Sequence, residues 1–163
     1  MRLKSNLNVS LICVGLLFVK TAGAVAATST ASVLVSASVL SVCTIAATTL
    51  PFGVYSSAAI SGTATLTVTC TLSTPYSVGL DAGTGSGSTT TTRKMTNGSS
   101  SLSYQLFRDA GHTLNFGQTS GTDTSSGNGS GLPQLITIYG QILPTQNAAP
   151  GAYTDTVTAT ITY

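Results

Sequence analysis

Charge is the scarcest property of this sequence. Of 163 residues only 6% are Asp, Glu, Lys or Arg, tryptophan is absent, and His112 is the sole histidine. A zinc site built on paired histidines is therefore excluded. Serines are abundant, but no Gly-x-Ser-x-Gly elbow appears, and His112 follows Asp109-Ala-Gly111 in a predicted turn, so a Ser-His-Asp triad has no frame. Asp81-Ala-Gly-Thr-Gly85 is superficially similar to an aspartic-protease loop. That chemistry needs two carboxylates sharing a proton, and no second copy of the loop exists. The glycine-rich runs 83–87 and 127–131 contain no lysine and sit in no strand–helix context, so they are linkers rather than phosphate cradles. The reading is a non-enzyme, with no catalytic, cofactor or metal residues.

Two of these scarcities change once the first 26 residues are set apart. Arg2 and Lys4 give a positive start, residues 11–19 form a short apolar run, and Ala22-Gly-Ala24 and Ala24-Val-Ala26 both fit a signal-peptidase site. Residues 1–26 are read as a secretory signal cleaved after Ala24 or Ala26. The run is about half the length a membrane span needs, and no membrane span is expected after signal removal. Arg93, Lys94 and Arg108 then face Asp81, Asp109, Asp123 and Asp155. A slightly acidic chain has no basic patch with which to displace counterions from phosphates, so nucleic acid is not an expected partner. Cys13 leaves with the signal. Cys43 and Cys70 remain as an even pair in an oxidising compartment, where a disulfide is the default. Closing that loop stabilises a fold by roughly 3–4 kcal/mol on the chain-entropy argument.

What is present is period-two alternation. Ala64, Leu66, Val68 and Cys70 alternate with threonines, as do Tyr153, Val157, Ala159, Ile161 and Tyr163 near the C-terminus. Successive side chains on a strand point to opposite faces, and β-branched threonine suits a pleated surface. Residues 76–80, 102–106 and 136–142 repeat the pattern, the last ended by Pro144. Turn signals separate the runs, among them Asn97-Gly98 and Ala149-Pro-Gly151. The Gly/Ser/Thr stretches 83–92 and 119–131 are expected to be mobile surface loops. About seven short strands and no amphipathic helix predict an all-β, antiparallel β-sandwich. Residues 27–40 form a further strand pattern, with Ala31, Val33, Val35, Ala37 and Val39 on one face. Such a strand can complete its own sheet or a neighbour's.

The ordered set of motifs resembles the spore coat protein U domain family, which includes subunits of archaic chaperone–usher pili. It is carried by Cys43-Thr-Ile45, Leu50-Pro-Phe-Gly-Val-Tyr55, Leu66-Thr-Val-Thr-Cys70 and Tyr76-Ser-Val-Gly-Leu-Asp-Ala-Gly83. It continues through Arg93-Lys-Met95, Leu102-Ser-Tyr-Gln-Leu-Phe-Arg-Asp109, Ile138-Tyr-Gly-Gln-Ile142 and residues 151–163. Asn115-Phe-Gly117 departs from it, since the family often has a tryptophan before that glycine. The resemblance implies an immunoglobulin-like sandwich over 41–163 that is one strand short, with Cys43–Cys70 joining its first two strands. It implies a donor strand in 27–40 with the face Ala31, Val33, Val35, Ala37 and Val39, and an acceptor groove edged by Val157, Ala159, Ile161 and Tyr163. The implied partners are neighbouring copies or related pilins, a periplasmic chaperone and an outer-membrane usher. The implied location is a cell-surface pilus reached through the periplasm, with roles in adhesion and biofilm formation. The alternative reading is a secreted spore-coat or matrix protein whose own first strand closes the sandwich.

Overall fold

The computed structural model describes residue 23 and residues 25–163; the expected signal at 1–26 lies almost wholly outside the described residues. The chain divides into two units, Met1–Ala37 and Ser38–Tyr163. In the first, residues 25–37 form no strand and are exposed.

The second unit is built from eight strands, each short and bounded by turn residues. They are β1 (Cys43–Ala47), β2 (Ile60–Cys70), β3 (Pro75–Leu80), β4 (Arg93–Asn97), β5 (Ser100–Phe107), β6 (Ser125–Asn128), β7 (Gln134–Ile142) and β8 (Ala159–Thr162). All pairings between them are antiparallel. One sheet has the order β1-β2-β7-β5-β4, the other β6-β3-β8. The threonine alternation of β2 places Ala64, Leu66, Val68 and Cys70 in the core, where they join Val78, Leu80, Leu106, Phe116, Ile138 and Ile142. This immunoglobulin-like architecture agrees with the sequence reading.

Pairing puts Cys43 opposite Cys70 at the start of the β1–β2 register, and the two form a disulfide. Asn97-Gly98 turns β4 into β5, with Gly98 at φ 59° as a tight hairpin requires. β7 ends at Ile142, just before Pro144.

Two expectations need correction. The stretch 119–131 is not a featureless loop: Ser125–Asn128 pairs with β3, because Gly127 lets the strand pass close over Tyr76, whose hydroxyl would lie 2.7 Å from any Cβ there. The stretch 83–92 is likewise held by its own polar groups. Ser88 N–H donates to the Gly85 carbonyl, Thr89 and Thr92 exchange main-chain hydrogen bonds, and Lys94 N–H donates to Ser88 Oγ. Hydroxyls and main chain do there what apolar side chains do elsewhere.

Candidate functional site: an open cleft beside the C-terminal edge

The two sheets end in unpaired edges at β1 and β8. Between the chain leaving β1 and the chain entering β8 lies a cleft of about 410 Å³. One wall is Ala47, Thr48, Thr49, Leu50 and Phe52; the other is Tyr153 to Val157 with Ala159. Its floor is the core itself, Leu66, Leu80, Leu106 and Ile138. These floor side chains are themselves buried; what is open is the pair of edges above them, since among the described residues β1 pairs only with β2 and β8 only with β3.

The C-terminal edge explains how the cleft stays apolar yet exposed. From Tyr153 to Ile161 every second residue is half-buried and the threonines between them face solvent. The alternation is thus longer than the paired strand, which covers only Ala159–Thr162. A strand pattern expected from Tyr153 onward is realised as a ladder in its last part alone, because residues 155–158 have no strand beside them.

Isolated main-chain bonds and side chains hold this edge instead. Thr154 exchanges main-chain hydrogen bonds with Thr96 of β4, at 2.9 and 3.2 Å. The Asp81 carboxylate accepts from the N–H groups of Thr158 and Gly83, both at 2.9 Å, and Asp81 N–H donates to the Thr158 carbonyl. Burial pushes the Asp81 carboxyl up, but these N–H donors and the nearby Arg93 outweigh it and hold it below the usual carboxylate value. Asp155 Oδ1 accepts from Thr84 N–H and Oγ1–H and from Thr156 N–H, while Oδ2 accepts from the Tyr104 hydroxyl at 2.7 Å. Burial and that carboxylate push the Tyr104 phenol far above its ordinary range. Phe52 packs edge-on against the Tyr104 ring, 5.8 Å between centroids.

Beneath the edge, Arg93 is wholly buried and pairs with no carboxylate. Its guanidinium donates to the carbonyls of Leu80, Asp81, Thr90 and Phe116 at 2.7–3.0 Å. Burial pulls its pKa down, but a guanidinium stays charged.

The expected acceptor residues separate in the structure. Val157 and Ala159 line the cleft, and Ile161 packs half-buried against the core. Tyr163 is more than half exposed and borders a separate shallow depression with Pro75, Tyr76 and Asn128. The expected donor residues are open to solvent: Val33, Val35 and Val39 are 84–87% exposed, and Ala31 and Ala37 are exposed as well. Sequence reasoning gave no structural role to Asp155 or Tyr104, and weighed Asp81 and Thr84 as part of a discounted protease-like loop. One signal was available, for Asp155 falls in phase with Tyr153, Val157 and Ala159, a charge on the apolar face of the strand.

Comparison with known proteins agrees with this architecture. The chain is 35% identical over 156 residues to Protein U of Myxococcus xanthus, covering 85% of this chain and 87% of that one. Its fold is similar, at a TM-score of 0.59 and 22% identity, to a chain of the CsuC–CsuE chaperone–tip adhesion subunit pre-assembly complex from archaic chaperone–usher Csu pili of Acinetobacter baumannii. That likeness covers 77% of this chain and 40% of the other. The Spore Coat Protein U domain matches residues 29–160, and the chain belongs to that family.

Proposed function

We propose that this chain is a structural subunit of a surface fibre, polymerised when the segment 27–40 of one copy fills the cleft of the next. One juxtaposition carries the reading. An apolar cleft lies open along a half-buried edge, in a chain whose residues 27–40 have the alternation of a strand and form none. The family match begins at residue 29, within that segment, which supports reading the segment together with the domain.

The physics of strand addition fits both parts. Main-chain groups on the open side of β8 gain partners, and alternate side chains enter the cleft. Burying Ala31, Val33, Val35, Ala37 and Val39 is worth on the order of 5–10 kcal/mol gross. A slip of one residue would turn Ser32, Ser36 and Ser38 inward, so register is strongly specified. One copy gives a segment and receives another at a different surface, a heterologous contact that propagates as an open filament. On this reading residues 1–26 are a signal and 41–163 the acceptor sandwich. A periplasmic chaperone shields the cleft before assembly, an outer-membrane usher delivers the fibre to the cell surface, and adhesion and biofilm formation are its uses.

The double substitution Val33→Asp, Val35→Asp tests it. Charged residues on the donor face should leave folded, chaperone-bound subunits and no filaments by negative-stain microscopy. Undiminished filaments from that variant would remove the proposal. A secreted matrix protein with a self-closed sandwich would instead refold as a stable monomer after dilution from denaturant, without a partner.

A further inference from the structure

We propose that Asp155 is a positioning residue for strand capture, holding one wall of the cleft in place before any donor arrives. The inference rests on the strand-capture reading above. Its starting point is a gap in the main-chain bonding of the edge. Thr154 is fixed to β4 and Thr158 to Asp81, and β8 begins its ladder with β3 at Ala159. Between them, no main-chain group of residues 155–157 bonds to another part of the described backbone. Yet this is the stretch that forms the wall opposite Ala47–Leu50.

Asp155 supplies the missing attachment through its side chain. Oδ1 gathers three donors, two of them from Thr84 in the loop after β3, at 2.7 and 2.8 Å; Oδ2 takes the Tyr104 hydroxyl from β5. The wall is thereby tied to β5 and to the loop after β3. Gly83 makes the approach possible: its φ is +78°, and a Cβ there would overlap the Asp155 carboxylate. Charge-assisted hydrogen bonds of this length are the stronger kind. An untied wall, with no main-chain bond over residues 155–157, would be free to settle into the cleft, and a donor would first have to displace it. A tied wall presents Val157 and Ala159 at the right spacing from the outset, which is preorganisation and acts on the rate of capture.

The experiment uses the full mature chain carrying Val33→Asp and Val35→Asp, so that copies do not fill one another. The protein is refolded from urea with a fluorescent peptide of residues 27–42, and capture is followed by anisotropy. In that background Asp155→Ala should slow capture about tenfold, the effect of losing roughly one charged hydrogen bond's worth of preorganisation. Asp155→Asn retains an acceptor at the Oδ1 position and should recover most of the rate. Amide exchange should quicken at residues 153–158 and stay unchanged in β2 and β7. Should Asp155→Ala fail to fold, Thr84→Val at the exposed loop removes the Oγ1–H donor, leaves the main-chain N–H in place, and should slow capture in the same direction. Equal rates with Asp155 intact, Asp155→Ala and Thr84→Val would overturn the positioning role and leave strand capture standing. No capture by the protein with Asp155 intact would overturn strand capture itself.

Discussion

A guanidinium removed from water must find acceptors for its N–H groups or carry a large desolvation cost. Arg93 meets that demand with four carbonyls and no anion, so its bonds tie together backbone from the end of β3, the loops at Thr90 and Phe116, and β4 itself. Removing it would leave those carbonyls buried without donors, each at a cost of about 1–3 kcal/mol where water cannot enter. Arg93→Met, which fills similar volume, is therefore expected to destabilise the sandwich by about 3–5 kcal/mol, read as a shift of the urea midpoint. Arg93→Lys should recover little, because a single ammonium cannot reach acceptors arranged around a planar fork. A variant within about 0.5 kcal/mol of the parent would show that the carbonyls find other donors. Little of this was legible in the sequence. Arg93 stands beside Lys94 in a polar stretch, and nothing in that pattern separates an exposed cation from a buried one; only the register Arg93↔Tyr104 turns it inward.

At the scale of elements, the C-terminal edge depends on the charge of Asp81. Its carboxyl lies below the usual value, so the folded state holds fewer protons than the unfolded one over the window between the two. The stability it contributes is present above the ordinary carboxylate value near pH 4 and is lost as pH falls through the lower folded value. Protonation weakens the hold on Thr158, and the edge should loosen before the core does. Denaturant midpoints from pH 5 to pH 2 should therefore fall less steeply for Asp81→Asn than for the parent. Asp109, held low by the Leu114 and Thr113 N–H groups, keeps a residual slope of the same sign in both. Identical slopes would remove Asp81 from this role. Elements of this kind were well marked in the sequence where one face is core and the other solvent: β2, β5, β7 and the edge from Tyr153 to Ile161 all follow the alternation. β6 escaped because Ser125-Ser-Gly-Asn128 has no apolar face to betray it; its pairing comes from main chain laid against β3. The side-chain ties at Asp155 escaped for another reason, since they join residues 51 and 71 positions apart that no local pattern relates.

For the whole molecule, the proposed strand exchange would give assembly a polarity. With residues 27–40 as the proposed donor and the cleft as its proposed receiver, every contact would be one-directional, so the two functions can be divided between two variants. A copy lacking residues 27–40 can receive a strand and give none. A copy with Ala159→Asp, which sets a carboxylate on the cleft wall, can give one and receive none. Each alone should sediment as a monomer. Mixed in equal amounts, they should stop at a one-to-one heterodimer, with neither filaments nor larger rings, while the parent chain grows without limit. The mass distribution from sedimentation or light scattering reads this directly, with circular dichroism to confirm that both variants keep the sandwich. Dimers or filaments formed by the truncated copy alone would mean that contacts other than the strand hold the fibre together. Longer species from the mixture would mean that Ala159 does not bound the receiving surface, and the C-terminal edge would lose its place as the wall a donor meets.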